Sequence, residues 1–232
     1  EPADAGRAVF YGEDLRLDEA GLRLEVRGPD GAGTLSSPLL GRFNAANLLA
    51  ALAALRHAGV AWPDALTRLA AVETVPGRME PLRVPGRPLV VVDYAHSPDA
   101  LEAVLAALRE HTAGRLWCVF GCGGERDRGK RPLMGGAAER LADYVVVTDD
   151  NPRGEDPYDI IEAILTGLEN PDAAYVVRDR RQAIERAVAL AGPDDVVLVA
   201  GKGHESCQYI GERCIPFNDR DEARRVLGVG RE

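Results

Sequence analysis

Tyr144-Val-Val-Val-Thr-Asp-Asp-Asn-Pro-Arg153 begins as an unbroken apolar run and empties into a loop with two carboxylates, one amide and one guanidinium. Asp156-Pro157 follows as a helix start, because Asp caps free amides and Pro fits a first turn. A buried strand therefore ends in a polar loop just ahead of a helix. Asp149 and Asp150 accept bonds from a cation, Arg153 grips a carboxylate through two parallel bonds, and Asn151 does either. Two readings stand: a solvated turn with a helix cap, or a reader of both signs of charge, such as those of an amino acid.

The pattern recurs on both sides. Leu89-Val-Val-Val92 precedes a helix opened by Ser97-Pro98-Asp99, and Leu116-Trp-Cys-Val-Phe120 precedes one begun at Pro132. Ala174-Tyr-Val-Val177 precedes a helix carrying Ala183, Ile184, Ala187 and Val188. Val196-Val-Leu-Val-Ala200 is the fifth run, and Asp219 starts a short final helix. Apolar runs without polar alternation predict a parallel sheet covered by helices on both faces. Ligands of such sheets sit beyond the carboxyl ends of the strands. Those ends read Asp93-Tyr-Ala-His-Ser97, Gly121-Cys-Gly-Gly-Glu-Arg-Asp-Arg-Gly-Lys-Arg131, Thr148-Asp-Asp-Asn-Pro-Arg153 and Gly201-Lys-Gly-His-Glu205. Four polar loops on one rim predict a binding site.

Taken singly, each loop has two readings. Gly124-x-x-x-x-Gly129-Lys130 matches the first seven positions of a nucleotide phosphate loop, but Arg131 stands where Ser or Thr would hold Mg²⁺. The other reading is a flexible basic loop. In it Arg126, Arg128, Lys130 and Arg131 lie near a helix N-terminus that attracts a carboxylate or phosphate. The glycines of Gly201-Lys-Gly-His-Glu205 let a ligand approach the backbone, and Glu205 can hold an ammonium; a tight turn with a solvated Glu is the alternative. Asp93 suits a ribose hydroxyl or a metal-bound water, and His96 is either a phosphate contact or structural.

The first third of the chain differs. From residue 8 to about 40, short alternating stretches are separated by Gly12, Gly21, Gly28-Pro-Asp-Gly31 and Gly33, which predicts an antiparallel meander. An Ala/Leu helix from Asn44 to Leu55 follows, then a second from Pro63 to Val72. Asn44 and Asn47 share one helix face, fit to cap the helix or to read a nucleobase edge. Val75 to Pro88 holds four prolines and two glycines and reads as a linker between domains.

A length of 232 residues fits one or two domains. Lys+Arg is 28 against 37 Asp+Glu, a net charge of −9 that argues against a nucleic-acid or anionic-membrane partner but not against a nucleotide. No apolar run approaches the roughly 20 residues of a membrane span. The start, Glu1-Pro-Ala-Asp4, is acidic, unlike a secretory signal, and without Met it predicts a piece of a longer chain. Cys118, Cys122, Cys207 and Cys214 form no C-x-x-C pair; free thiols in a reducing cytosol are expected, and no metal site.

Six ordered motifs resemble those of the Mur ligases, and within them the members that add the third amino acid. They are Gly41-Arg-Phe-Asn-Ala-Ala-Asn47, Pro76-Gly-Arg-Met-Glu80, Asp93-Tyr-Ala-His-Ser-Pro-Asp99, Gly121 to Pro132, Asp149-Asp-Asn-Pro-Arg153 and Gly201-Lys-Gly-His-Glu205. The resemblance runs from about residue 41 onward. It implies a cytoplasmic, ATP- and Mg²⁺-dependent amide ligase of peptidoglycan synthesis. ATP phosphorylates the terminal carboxylate of UDP-MurNAc-L-Ala-D-Glu, and the incoming amino group attacks the acyl phosphate. The implied fold is an open, mostly parallel, Rossmann-like α/β sheet over 78–232, the amino-acid-binding C-terminal domain. The tail of an α/β central ATP-binding domain, 1–77, would precede it.

By the same resemblance, Arg126, Asp150, Asn151, Pro152, Arg153, Gly201 and Glu205 match positions that hold meso-diaminopimelate, with L-lysine or L-ornithine as alternatives. Asn47, Arg78 and Asp93 match adenine, phosphate and ribose positions, with His96 beside them. The N-terminal UDP-sugar domain, the motif Gly-Thr-x-Gly-Lys-Thr and the carbamylated lysine that places Mg²⁺ have no counterpart in the sequence. No catalytic residue is therefore assigned, and the chain is expected to be inactive without those missing domains. Two other classes remain. A nicotinamide oxidoreductase fits the alternation, yet no Gly-x-Gly-x-x-Gly opens a helix after the first sheet strand. A non-catalytic module holding an amino acid or nucleotide is the other.

Overall fold

A computed structural model describes residues 9–230. The acidic start Glu1-Pro-Ala-Asp4 and the first position of the alternating region lie outside the described residues. Two compact units divide after Glu73, four residues ahead of the boundary expected at 77/78.

The first unit is an antiparallel meander with two helices. Strands β1 (Tyr11–Asp18), β2 (Gly21–Gly28) and β3 (Gly31–Ser37) pair in sequence order. Leu22, Leu24, Val26 and Leu35 are buried, as period-two alternation requires. They pack with Ala45, Leu48 and Leu52 of α1 (Phe43–His57) and with Trp62, Ala65 and Leu69 of α2 (Trp62–Ala70). Gly12, expected as a turn, lies inside β1 instead. A Cβ there would come 2.6 Å from Leu24 Cδ1, so close packing, not turning, accounts for it.

The second unit carries the sheet. Strand β4 (Glu80–Leu82) lies in the stretch expected as a linker and pairs antiparallel with β5 (Leu89–Asp93). Pro81 is tolerated there because β4 is an edge strand. Helix α3 (Pro98–Arg109), β6 (Leu116–Phe120), α4 (Lys130–Leu141) and β7 (Tyr144–Val147) follow. Next come α5 (Pro157–Leu165), a single 3₁₀ turn at Pro171–Ala173, β8 (Tyr175–Val176), α6 (Arg180–Leu190) and β9 (Val196–Ala200). A hairpin, β10 (Cys207–Ile210) and β11 (Arg213–Pro216), then leads to α7 (Asp219–Leu227).

The sheet order is β4-β5-β9-β6-β7-β8, with every neighbour from β5 onward parallel. The crossovers β5→β6→β7→β8 all advance one way, so right-handedness puts α3, α4 and α5 on one face. The return to β9 puts α6 on the other. Val90, Val92, Val197, Val199 and Trp117 pack there against Ala183, Ile184, Ala187 and Val188 of α6 and Ala223 and Leu227 of α7. Side chains cap four helices at their first turns: Ser97, Asp156, Asp179 and Asn218. Sequence and fold agree on the five runs; in β5, β6, β7 and β9 the reason is that a strand buried on both faces has no room for polar alternation, whereas β8 is a two-residue, partly exposed edge strand.

Candidate functional site

β9 enters the sheet between β5 and β6. The loop after β9 is therefore flanked by the loop after β5 and the loop after β6, with the loop after β7 next along the same rim. Chains leave β5 and β6 toward one face, whereas β9 is fed from the other, and such reversals open a crevice at a sheet's carboxyl edge. A cavity of about 200 Å³ lies there. Six of the seven positions matched to an amino acid line it: Arg126, Asp150, Asn151, Arg153, Gly201 and Glu205. Pro152 is buried and does not line it. His96, expected beside the nucleotide positions, lines the same cavity with Tyr94 and Lys130.

One wall is closed. Asn151 Nδ2 donates to Glu205 Oε2 at 2.8 Å, and Asn151 Oδ1 accepts from Lys202 Nζ at 2.9 Å and from Tyr209 N at 3.0 Å. Lys202 also donates to Glu205 Oε2 (2.8 Å) and to the Cys207 carbonyl (2.7 Å). Burial works to raise the Glu205 carboxyl, but the bonds from Lys202 and Asn151 outweigh it and hold it below the usual range, ionised at neutral pH. Asp150 goes the other way: burial pushes its carboxyl up, against the pull of Arg180 and Lys202. Gly201, at φ +116°, has no alternative residue, since a Cβ would meet Asp150 Oδ2 at 2.7 Å.

The hairpin buttresses this wall. Arg153 N donates to the Tyr209 carbonyl (3.0 Å), Gly211 N to the Arg153 carbonyl (2.7 Å), and Gln208 Nε2 to the Asp150 carbonyl (2.7 Å). These contacts hold Arg153 at φ +51°, while its Nη1 reaches the Gly124 carbonyl at 2.8 Å. Cys207 and Cys214 are joined across the hairpin, Cα–Cα 5.7 Å, which corrects the expectation of four free thiols. The antiparallel register sets Cys207 against Pro216 and Cys214 against Tyr209, so the two are diagonal neighbours across the hairpin. Cys118 and Cys122 are free and buried, and burial pushes both thiols up.

The opposite wall is basic and open. Lys130 Nζ donates to the His96 carbonyl (2.7 Å), and exposed Arg126 to the Glu125 carbonyl (3.1 Å). The other two basic groups expected here are taken: Glu155 receives Arg131 (3.0 Å) and Arg128 (3.1 Å). Above the wall, Arg78 lies over the Tyr94 ring at 4.9 Å, and His96 and His204 pack against that ring at 4.6 and 5.4 Å. Asp93 is turned inward, its two oxygens accepting from Met79 N (2.8 Å) and Ala95 N (2.7 Å), and burial raises its carboxyl. It pins the backbone under Tyr94 and is not among the cavity's lining residues. Asn47, in the first unit, is exposed and donates to Asn44 Oδ1 at 3.0 Å.

A larger hollow, about 530 Å³, is lined by Arg181, Arg220, Glu80 and Glu222 among others. Its charges answer one another, Arg181 to Glu222 at 2.8 Å and Arg220 to Glu80 at 2.7 Å, which leaves little for a ligand.

Sequence reasoning missed Lys202 and the whole hairpin. The hairpin had a signal: Tyr209-Ile210 and Arg213-Cys-Ile215 flank the two-residue turn Gly211-Glu212. For Lys202, only its position between two glycines was available.

The sequence profile described as Mur ligase, glutamate ligase domain, matches residues 77–203. A UDP-N-acetylmuramoyl-L-alanyl-D-glutamate--2,6-diaminopimelate ligase of Alkalilimnicola ehrlichii is 58% identical over 222 residues, 96% of this chain and 44% of the relative. A solved structure of a ligase of that same description superposes with a TM-score of 0.80 at 42% identity, covering 94% of this chain and 45% of that one. A Mycobacterium tuberculosis folylpolyglutamate synthase complexed with ADP gives a TM-score of 0.62 at 26% identity over 83% of this chain and 45% of its own. The chain thus spans less than half the length of each of these relatives. The profile covers more than half of the sequence and includes β5, β6, β7 and β9, the strands that carry the rim, so this chain belongs to the Mur ligase family.

Proposed function

We propose that the second unit is the amino-acid-binding part of an ATP-dependent ligase that adds meso-diaminopimelate to UDP-MurNAc-L-Ala-D-Glu. The observation that carries this reading is the pairing of opposite charges in one small cavity: the ionised Glu205 carboxylate with the Arg153 guanidinium on the closed wall, and the Arg126 guanidinium on the open one. A ligand with an ammonium and a carboxylate at one end satisfies both. Diaminopimelate has such an end distal to its reacting amine, whereas L-lysine has only the ammonium.

In the full reaction, a phosphoryl group from ATP on the substrate carboxylate gives an acyl phosphate and ADP. The amine of the bound amino acid attacks the acyl carbon, and phosphate leaves. Residues of this chain hold and orient that amine, and orientation alone accounts for several kcal/mol of a barrier. Arg78 and His96, gathered on Tyr94, suit a phosphate; the similarity to a synthase complexed with ADP supports ATP as co-substrate. Asn47 as an adenine contact and Asp93 as a ribose contact belong to the same reading. Among the described residues no group of three or more His, Cys, Asp or Glu side chains is arranged to hold a metal, so no step is assigned to Mg²⁺ here. Cytoplasmic action accords with the described residues having no helix long and apolar enough to cross a membrane.

Every residue lining the cavity lies in one unit, so on this reading the chain itself is expected to bind the ligand. In calorimetric titration, meso-diaminopimelate should bind at least about ten-fold more tightly than L-lysine, the worth of one charge-assisted pair. Arg153→Ala should remove that preference. Equal affinities in the wild type, or an equal loss for both ligands in Arg153→Ala, would overturn the assignment. Turnover of ATP by this chain alone would contradict the further proposal that catalysis needs the missing domains.

A further inference from the structure

Lys202 is fully buried, and each of its three N–H groups has a protein acceptor: Asn151 Oδ1, Glu205 Oε2 and the Cys207 carbonyl. An ammonium with all three hydrogens so placed has none left for a ligand. It therefore acts through what it holds. The three acceptors lie on three segments: the loop after β7, its own loop, and the first residue of the hairpin.

Two consequences follow for the cavity. Asn151 Oδ1 receives both Lys202 and Tyr209 N, which fixes the sense of the amide, so that Nδ2 is the end facing Glu205. Glu205 Oε2 receives both Asn151 and Lys202, which leaves Oε1 as the oxygen not engaged by these groups. Without Lys202, Asn151 loses one of the two donors that set its orientation, and Glu205 loses the cation that it contacts.

We propose that Lys202 is a positioning residue: its buried ammonium fixes Asn151 and Glu205 so that Glu205 Oε1 is presented to an ammonium group of the ligand, and this gives the cavity its selectivity for that group. The proposal rests on the amino-acid reading of the cavity for its ligand, but its internal geometry does not.

Two arms of one experiment separate the two. First, without ligand, the Glu205 carboxyl is titrated by carbon-13 NMR in the wild type and in Lys202→Met. The midpoint should rise by about one pH unit or more in the variant. In the wild type, the Lys202 nitrogen resonance should move at the Glu205 midpoint, a measurement that stands even where the variant fails to fold. Second, meso-diaminopimelate is compared with 2-aminopimelate, which lacks one ammonium. The wild type should favour the former by about ten-fold. Lys202→Met and Glu205→Gln should each collapse the ratio toward one, and the double variant should do no worse than Glu205→Gln alone. An unmoved Glu205 midpoint, or additive losses in the double variant, overturns the positioning role. Failure of the wild type to bind diaminopimelate sinks the amino-acid reading instead, and the ligand-free arm still decides whether Lys202 sets Glu205.

Discussion

The two walls of the cavity are built on opposite principles. On the wall from β7, β9 and the hairpin, Lys202 and Asn151 are committed to protein acceptors, and the backbone of Arg153 is stitched to a second strand. On the wall from β5 and β6, Arg126 and Lys130 touch only backbone carbonyls and stand partly in solvent. The closed wall has paid its ordering entropy during folding and can define where a ligand charge must go. The open wall keeps long, mobile cations that adapt to what arrives. The same basic segment supplies both behaviours, since Arg128 and Arg131 are held by Glu155 while Arg126 is not. Within this segment charge alone therefore does not single out the cation left for a ligand; the want of an internal carboxylate partner does.

That contrast is broken most severely beneath the closed wall. Arg180 is fully buried, donating to Asp219 at 2.7 and 2.8 Å and to the Ala200 carbonyl at 2.8 Å, at the end of β9. Asp219→Ala removes the carboxylate bonded to Arg180 and leaves a buried guanidinium whose neighbouring carboxyl, Asp150, is pushed toward its neutral form by burial. A stability loss of about 3–5 kcal/mol is expected, read as a lower urea midpoint. A loss below about 1 kcal/mol would mean that the closed wall does not depend on this pair.

The hairpin is the next test. The Cys207–Cys214 link closes a short loop, for which chain entropy gives roughly 2.5 kcal/mol. In Cys207→Ser/Cys214→Ser, opening of the hairpin should become correspondingly easier. Exchange of the Arg153, Tyr209 and Gly211 amides, all bonded between loop and hairpin, should quicken by up to about sixty-fold. The Thr148 amide, bonded to the Phe120 carbonyl within the sheet edge, should not change. Unchanged protection at Tyr209 and Gly211 would show that the strand pairing, not the crosslink, carries the buttress.

The division between the walls also marks what the sequence reveals. Leu116-Trp-Cys-Val-Phe120 and Val196-Val-Leu-Val-Ala200 were legible as strands because complete burial forbids polar alternation, and their polar ends named the rim. β4, β10 and β11 were not, since partly exposed or edge strands are under no such constraint, and in β4 Pro81 pointed toward a linker. The insertion of β9 between β5 and β6, which brings Glu205 beside Asn151, leaves no trace in the order of the chain. Lys202 draws no role from its place between two glycines, because its burial depends on the hairpin and on a loop some fifty residues upstream. Asp93 shows the reverse case: a carboxylate at a strand end invites a ligand role, and the sequence does not reveal that each of its oxygens also accepts a backbone amide.

The smallest structural effect belongs to the open wall, where it should coincide with a clear loss of binding. Arg126 is exposed, and its one bond to the Glu125 carbonyl can be replaced by water. Arg126→Ala should move the unfolding free energy by no more than about 0.5 kcal/mol, as for surface positions without a buried partner. Removing a guanidinium that meets a ligand carboxylate costs more, about 1.5 kcal/mol or a factor of ten in diaminopimelate affinity. The loss should be greatest at low ionic strength, because an exposed cation is screened within about 10 Å at 0.1 M salt. Titration of the wild type and Arg126→Ala at two salt concentrations, beside their urea midpoints, separates the two effects. If Arg126→Ala lowered the midpoint as Asp219→Ala does, Arg126 would belong to the folded framework after all. If affinity held at both salt concentrations, the open wall would not be reading the ligand's carboxylate, and Arg153 on the closed wall would have to do so alone.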